Sequence, residues 1–398
     1  MKQLSKINVK IPLVTTFLED DVYETRLTDK FMENVICNED HYYHRTAQVL
    51  SKRQFEPTVF YMSQEKQMKK FTHKYGHTII RVPAIRMPFI HEPIVYAPKM
   101  IELIQDYDIC HFVSGYYVHY KVPDPFDYMV SKLHKKIPLV AMWAGGKHEW
   151  LFPIRRSIKK WALQRCSKFL VSSTDEINTL ETIFDIPKEK ISHLISPHDF
   201  SIFKKRDKKF AAEKISMNPD FRYLISVGRL THRKGIESLL DVFYELGKKY
   251  DDLKLIIVGD GPLMEYITNF RKKHLLEEKI ILTGRLPHEI LCYYYNISTA
   301  LLHIPKGAGV GGVIIEASAS GLPVIATTGA GSTHEYVNEK NKNGILIHYD
   351  NNIEIKNAII TILENEKFYR NFNTNFLNEF SYDEFGKTLS NIYNELLK

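Results

Sequence analysis

Short runs of valine, isoleucine and leucine alternate with longer amphipathic stretches along almost the whole chain. Buried parallel strands are uniformly apolar, and the helices that cover them are apolar every three or four residues. The alternation therefore predicts strand–helix–strand units and parallel sheets covered on both faces. The strands predicted for the first half are 8–17, 57–61, 78–82, 108–113, 137–142 and 168–172, with helices such as 42–53 and 174–183. Those predicted for the second half are 223–228, 253–259, 279–284, 300–305, 323–328 and 344–348, with helices such as 235–250, 261–276 and 314–321.

The pattern breaks in the polar, aperiodic stretch 196–215. We therefore expect an α/β protein with two Rossmann-like, doubly wound parallel-sheet domains that face each other across a cleft. The expected domains are 1–200 and 201–379, which leaves a terminal segment at 380–398. Several strands of the second half run directly into glycine, and ligands of such sheets bind at the carboxyl ends of the strands.

The composition places the 398-residue chain among ordinary globular proteins, since 44% of its residues are hydrophobic and 25% are charged. These fractions exclude disordered and fibrous classes. The four cysteines are widely spaced, which suits a reducing cytosol better than a disulfide framework or a structural zinc site. No apolar run approaches the roughly 20 residues that a membrane span needs. Lys6 and Lys10 interrupt the first apolar stretch, so we expect a cytoplasmic protein without a secretory signal.

The positive charge is concentrated in residues 131–168, which contain ten lysines and arginines but only one acidic residue, Glu149, while the net charge of the whole chain is +7. An anionic partner is therefore expected. Within this region, IRRSIKKWALQRC (154–166) predicts a helix with one apolar stripe and a flanking set of cations. The stripe is Ile154, Ile158, Trp161, Ala162 and Cys166, and the flanking cations are Arg155, Arg156, Lys159 and Lys160. Two interpretations stay open, peripheral contact with an anionic membrane surface and an ordinary solvated helix face. No nucleic-acid-binding module is recognisable, so we expect no nucleic-acid partner.

Three glycine-containing turns carry the candidate chemistry. In SVGRLTHRKG (226–235), a strand ends at Gly228, two cations follow, and Gly235 opens a helix, which is the arrangement of a phosphate site. The alternative is a basic turn exposed to solvent. The turn VGDGP (258–262) is a weaker signal, because a simple tight turn is the favoured explanation of it. In GAGVGGVIIE (307–316), a glycine run precedes a helix that carries Glu316.

The order of these segments resembles the retaining nucleotide-sugar glycosyltransferases of the GT-B fold, and most closely glycosyltransferase family 4. The segments are GRLTHRKG (228–235), VGDGP (258–262), LTGRLP (282–287), GGVIIEASASGLPVIAT (311–327) and GSTHEYV (331–337). Coverage of the first half is weaker, although KISHLISPHDFSIF (190–203) is similar to the family's domain-closing segment. The tail 380–397 resembles the family's final helix, which crosses back to the N-terminal domain.

The resemblance assigns roles residue by residue. It implies that Arg229 and Lys234, beside Gly228, hold the donor diphosphate and stabilise it as a leaving group, and that Glu316 accepts the ribose hydroxyls. The remaining donor-binding positions that it implies are the nucleobase turn at Arg285 and Leu286, and the glycine loop with Lys306, Gly309, Gly311 and Gly312. The implied activity is transfer of a sugar from a nucleotide-sugar donor to a glycan, lipid-linked or small-molecule acceptor, with retention of configuration. No cofactor and no metal are expected.

The chain departs from the family pattern in the sugar half of the site. Ala308 stands where the family has a carboxylate eight residues before Glu316, Lys306 replaces a serine, and Ala144 replaces a histidine. Pro197 and His198 stand where an asparagine and a glycine are usual. These departures indicate either an altered donor sugar or an alternative function as a non-catalytic sugar-nucleotide-binding subunit.

Metal-ligand patterns are weak. Asp106 and Asp108 have DxD spacing but lie at the entry of a predicted strand. Zinc-ligand spacing is missing from the histidines His41, His44, His111 and His119, which we expect to be structural or exposed.

Overall fold

The computed structural model describes residues 9–18, 25–39, 41–87, 94–113, 124–143, 152–306, 311–329, 333–338 and 340–398, with only the backbone described at a few segment edges such as 152–155. The chain divides into two compact units. The first contains residues 1–197 together with 382–398, and the second contains residues 198–381.

The first unit is built on an eight-stranded sheet with the strand order β10-β9-β8-β7-β1-β2-β4-β3. Its strands are Val9–Leu18 (β1), Phe55–Ser63 (β2), Lys69–Thr72 (β3), Thr78–Pro83 (β4), Cys110–Phe112 (β7), Leu139–Trp143 (β8), Lys168–Val171 (β9) and Ile191–His193 (β10). A separate two-stranded pair is formed by Ile85–Met87 (β5) and Ile94–Tyr96 (β6). All neighbours in the large sheet are parallel except β3, which pairs antiparallel with β4 at the edge. The parallel sheet predicted for this half is therefore confirmed, with β3 and β10 as additions at its two edges.

Helices flank the sheet of the first unit. They are Asp29–Asn34 (α1), Tyr42–Ser51 (α2), Pro98–Ile104 (α3), Pro125–Leu133 (α4), Phe152–Gln164 (α5), Thr174–Phe184 (α6) and, from the end of the chain, Tyr382–Leu396 (α15). The last of these buries Phe385, Leu389 and Tyr393 in the same core cluster as α2 and β1. The hydroxyl of Tyr393 lies 2.7 Å from Nδ1 of His111 on β7.

The second unit is built on a six-stranded parallel sheet with the order β13-β12-β11-β14-β15-β16. Its strands are Arg222–Val227 (β11), Leu253–Val258 (β12), Ile280–Gly284 (β13), Ser298–His303 (β14), Val324–Thr327 (β15) and Gly344–Ile347 (β16). Its helices are Lys208–Lys214 (α7), Ile236–Lys249 (α8), Met264–Lys273 (α9), His288–Ile297 (α10), Gly312–Ala319 (α11), Thr333–Tyr336 (α12), Asn352–Glu364 (α13) and Glu366–Tyr369 (α14). All six strands predicted for this half are present.

The strand order of the second unit locates its crevice. The chain moves outward from β11 to β12 and β13, and then returns to the other side of β11 as β14. At such a reversal the following helices lie on opposite faces, so a crevice opens at the carboxyl ends of the two central strands. The carboxyl ends of β11 and β14 are therefore the place to look for a ligand site.

Among the described helices, none combines the length and the apolar character needed to cross a membrane.

Candidate functional site

A pocket lies at the carboxyl ends of β11 and β14. It is lined by residues 226–230, Lys234, Ile236 and residues 302–305. The first motif therefore supplies one wall, and the end of β14 supplies the other. The structure brings Gly228, Arg229 and Lys234 together in this one pocket, as the spacing of SVGRLTHRKG predicts.

The second glycine turn supports the first. The amide of Gly228 donates to the carbonyl of Val258 (3.0 Å), and Leu230 donates to the carbonyl of Asp260 (2.9 Å). Gly259 has φ +133°, and a Cβ atom there would overlap the carbonyl oxygen of Gly228. Because only glycine allows this close approach, VGDGP is a packing partner of the first glycine turn and not merely a tight turn.

The two cations of the pocket differ in exposure. Arg229 is exposed, whereas Lys234 is half-buried in the short 3₁₀ turn that precedes α8. Burial, and then the neighbouring charge of Arg233, lower the pKa of Lys234. A partly desolvated ammonium interacts more strongly with an anion than one in water, so Lys234 is prepared for a phosphate.

His303, the last residue of β14, was missed in the sequence interpretation. Its imidazole lines the pocket and is 5% exposed. Burial, together with the charge of Lys234, lowers the pKa of His303 to about 3, so the ring is neutral at physiological pH. The backbone of Gly311 passes directly against this ring, since a Cβ at Gly311 would lie 2.6 Å from Nε2 of His303. The signal available in the sequence was a histidine at the carboxyl end of a buried strand.

Glu316 lies in the second turn of α11 and is 6% exposed. Its Oε2 accepts a hydrogen bond from the hydroxyl of Tyr295 (3.0 Å), and its Oε1 lies 3.6 Å from Nδ1 of His198. Burial alone would raise the pKa of Glu316, but the interactions with His198, His288 and Tyr295 outweigh it, so the pKa lies below its usual value. Glu316 is therefore a buried carboxylate with one oxygen already held.

The other predicted donor residues occupy different positions at this edge of the sheet. Arg285 and Leu286 directly follow β13, with Arg285 exposed and Leu286 half-buried. Lys306 is exposed, its ammonium lies 5.5 Å from the centroid of the Tyr349 ring, and its amide donates to the carbonyl of Arg233 (2.7 Å). Gly311 and Gly312 begin α11. Gly309 and Ala308, like Ala144 in the first unit, lie outside the described residues.

Among the residues that the structure describes, one cluster of histidines in the first unit could hold a metal. One ring nitrogen each of His44, His73 and His77 lies within 4.8 Å of the others. Nδ1 of His44 is 2.9 Å from Nε2 of His77, and its Nε2 is 2.9 Å from the hydroxyl of Tyr61. Both nitrogens of His73 have backbone partners, the carbonyl of Glu39 and the amide of Tyr75. A metal ion would have to displace these hydrogen bonds, so the arrangement is that of a buried structural cluster.

The Asp106–Asp108 pair has a structural role at its second carboxylate. Oδ2 of Asp108 accepts from the backbone amide of Lys10 (2.8 Å) at the entry of the sheet.

The basic helix α5 corrects the predicted apolar stripe. Ala162 and Cys166 are fully buried, but Ile158 and Trp161 are 44% and 38% exposed. Lys159, predicted as a flanking surface cation, is 1% exposed. Its ammonium lies 2.6 Å from a carboxylate oxygen of Asp124 and 2.9 Å from one of Asp127. Because the sequence pattern treated Lys159 as a surface position, the predicted apolar stripe was displaced from the face of the helix that is actually buried.

Known glycosyltransferases match both halves of the chain. Residues 207–378 match the family model for glycosyl transferases group 1, and residues 41–194 match the model for glycosyltransferase family 4. The chain belongs to the glycosyltransferases of the family 4 type.

Relatives of this glycosyltransferase include a GDP-mannose-dependent alpha-mannosyltransferase of Corynebacterium glutamicum. It is 28% identical over 289 residues, which cover 69% of this chain and 64% of the relative. The alignments with five relatives, this mannosyltransferase among them, span 28% to 71% of the lengths of those relatives.

Solved structures show the same fold over almost the whole chain. A sucrose-phosphate synthase from Thermosynechococcus elongatus superposes with a TM-score of 0.74 at 17% identity, covering 98% of this chain and 99% of that one. The Anabaena protein HepE, solved in complex with UDP-glucose, superposes with a TM-score of 0.67 at 15% identity, covering 98% and 100%. The fold of this glycosyltransferase is therefore GT-B.

Proposed function

We propose that this glycosyltransferase transfers a sugar from a nucleotide-sugar donor to a glycan or lipid-linked acceptor, with retention of configuration and without a metal ion. The observation that carries the proposal is the pocket at the carboxyl ends of β11 and β14. There Arg229 and Lys234 flank a glycine turn. HepE, which shares the fold, was solved with UDP-glucose, and this supports a nucleotide-sugar donor.

The pocket and the buried carboxylate are linked by direct contacts. His303 lines the pocket and touches the backbone of Gly311, and the next residue, Gly312, packs against the ring of His198. His198 in turn faces Glu316. A donor with its diphosphate at Arg229 and Lys234 and its ribose at Glu316 would follow this path.

The chemistry follows from where charge develops. The bond between the anomeric carbon and the diphosphate oxygen breaks, and its electron pair leaves with the diphosphate. The acceptor hydroxyl oxygen bonds to the anomeric carbon from the same face, and its proton passes to the departing phosphate oxygen. Arg229 and Lys234, already in place, would stabilise the negative charge on the leaving group without reorganisation.

We further propose that the donor sugar is acidic or otherwise substituted. Ala308 lacks the carboxylate that would accept hydrogen bonds from neutral sugar hydroxyls, and Lys306 adds a cation nearby. Ala308→Glu should then shift the preference toward neutral hexose donors.

We propose a cytoplasmic location with peripheral docking on anionic membrane through α5. The exposed Ile158 and Trp161 and the neighbouring Arg156 and Arg165 give this face the apolar and cationic character of an interfacial helix. Such docking would bring the enzyme to a lipid-linked acceptor.

The deciding experiment is a thermal-shift screen across nucleoside diphosphates and nucleotide sugars, followed by calorimetry and by donor hydrolysis and transfer assays. We expect a uronic or substituted sugar nucleotide to bind more tightly than the matching diphosphate and to turn over. Binding without hydrolysis or transfer would favour the alternative, a non-catalytic sugar-nucleotide-binding subunit. Equal affinity for the diphosphate and every sugar nucleotide would show that the sugar subsite is not used.

A further inference from the structure

A second cavity, of about 560 Å³, lies in the first unit. It is lined by Arg26, Thr28, Asp29 and Lys30, by residues 64–67 and by Arg81 of β4. The segment 64–67 directly follows β2, Arg26 and Thr28 belong to the connection after β1, and Asp29 and Lys30 begin α1. The cavity therefore lies toward the carboxyl ends of parallel strands, the edge at which α/β sheets bind ligands.

The lining is cationic. It carries four positive side chains, Arg26, Lys30, Lys66 and Arg81, and two carboxylates, Asp29 and Glu65, which leaves a net charge of +2. Within the described part of the chain, the side chains of Arg26, Lys30 and Lys66 form no ion pair, and all three are exposed. These three cations are therefore available to an anionic ligand.

Asp29 does not neutralise them, because it is already engaged. It is paired with Lys69 and with Arg81, whose Nη2 lies 2.9 Å from its carboxylate. The hydrogen bond with Lys69 is the largest cause that lowers the pKa of Asp29, so this carboxylate is ionised and occupied.

Arg81 forms a rigid cationic base for the cavity. Its side chain is 2% exposed. The guanidinium donates to the carbonyl of Leu27 (2.5 Å) and to that of Gln67 (3.4 Å), in addition to its pair with Asp29. Its Nε is buried and has no hydrogen-bond partner. Arginine is well suited to bind phosphate oxygens, so this guanidinium supplies a fixed positive charge at the base of the cavity.

We propose that this cavity binds a phosphate or pyrophosphate group carried by the acceptor. A ligand with several negative oxygens matches a lining with net charge +2 whose cations come from two loops, the start of α1 and a strand. The assignment to the acceptor rests on the proposed function, since the donor diphosphate is placed in the second unit. The anion site itself rests only on the cavity and its charges.

The test uses the full chain and inorganic pyrophosphate as the probe. Calorimetry is run with a nucleoside diphosphate at saturating concentration, so that the phosphate site of the second unit is filled. We expect saturable pyrophosphate binding, weakened by about tenfold or more in Lys30→Ala/Lys66→Ala, since each lysine would give a charge-assisted hydrogen bond. Lys30→Arg/Lys66→Arg should bind like the wild type. Lys52→Ala, which removes an exposed lysine of the same unit away from the cavity, is the matched control.

A variant with the opposite sign makes the test specific. Asp29→Asn removes a carboxylate that competes for Arg81, so pyrophosphate should bind more tightly to it than to the wild type. Absence of pyrophosphate binding to the nucleotide-saturated protein, or equal affinities for Lys30→Ala/Lys66→Ala and Lys52→Ala, would overturn the proposal.

Two arms separate the source of the phosphate and the fate of the proposed function. Binding of neutral vesicles doped with a long-chain alkyl phosphate, lost in the double lysine variant, would identify a lipid-linked phosphate. Binding of the soluble anion without the vesicles would identify a soluble phosphate ester. Nucleotide binding by Lys30→Ala/Lys66→Ala should be unchanged. If the donor assignment is wrong, nucleotide binding will therefore be absent from the wild type and from every variant, while pyrophosphate binding remains.

Discussion

Nδ1 of His198 faces Oε1 of Glu316 at 3.6 Å, and both side chains are buried. The other carboxylate oxygen is held by Tyr295, so His198 is beside the one oxygen that remains for a ligand. The backbone of His198 is held separately, because its amide donates to the carbonyl of Phe380 (2.8 Å). His198 thus orients the carboxylate that the donor ribose is proposed to use.

Replacing His198 by alanine should make nucleotide binding more sensitive to acid. The interaction with His198 helps to hold the pKa of Glu316 below its usual value against the opposing effect of burial. Without it, the carboxylate is protonated at higher pH, so the acidic limb of nucleoside diphosphate affinity should move to higher pH. Calorimetry of wild type and His198→Ala across the pH range measures this shift. The exposed His193 of the first unit gives the control variant, and an unchanged acidic limb in His198→Ala would refute the positioning role.

Arg229→Ala and Lys234→Ala should each slow donor turnover strongly. If each cation stabilises the leaving diphosphate, its loss raises the barrier by about 2–4 kcal/mol, as for a deleted oxyanion donor. Steady-state kinetics with any active donor measures the loss. Arg233→Ala is the control, because Arg233 is adjacent to Lys234 but does not line the pocket. Near wild-type rates in both pocket variants would remove the diphosphate assignment.

Docking of α5 on anionic vesicles should depend on its exposed apolar side chains and cations. Two double variants should each reduce co-sedimentation with anionic vesicles, namely Ile158→Ser/Trp161→Ala and Arg156→Gln/Arg165→Gln. The first removes apolar side chains from the docking face. The second removes two cations, each of which contributes about 1 kcal/mol near the surface at low salt. Lys159→Met should instead destabilise the first unit by about 3–5 kcal/mol, because it leaves Asp124 and Asp127 buried without their cation. Equal, negligible binding of the wild type to anionic and neutral vesicles would mean that α5 is only structural.

The histidine cluster should make the first unit sensitive to acid. Burial, with smaller effects from His44 and His73, lowers the pKa of His77 to about 2. In the unfolded chain, His77 takes up a proton as the pH falls through about 6.5. The stability that the neutral, buried ring gives to the folded protein is therefore complete above that pH and is lost as the pH falls. The free energy of unfolding should therefore decrease by about 1.4 kcal/mol per pH unit for this one group. Urea unfolding at several pH values should give a shallower slope in His77→Gln than in wild type, and identical slopes would contradict the prediction.

Most strands of both sheets could be predicted because their apolar runs are long enough to be unambiguous. The edge strands β3 and β10 could not, since KKFT alternates exposed and half-buried residues and ISH is only three residues long without a buried position. The turn at residues 226–235 was predictable because its residues are adjacent in the sequence. The pairs His198–Glu316 and Lys159–Asp124 were not, because their members are far apart in the chain and only the tertiary fold brings them together.

The placement of α15 has a consequence for how the protein is made. Tyr393 and its neighbours complete the core of the first unit, but they are translated after the whole of residues 198–381. During synthesis the second unit can therefore close its sheet while the first still lacks one of its helices, the reverse of the usual order in which domains mature on the ribosome. In a fragment that stops at residue 197, the surface that α15 normally covers would still be exposed after release from the ribosome.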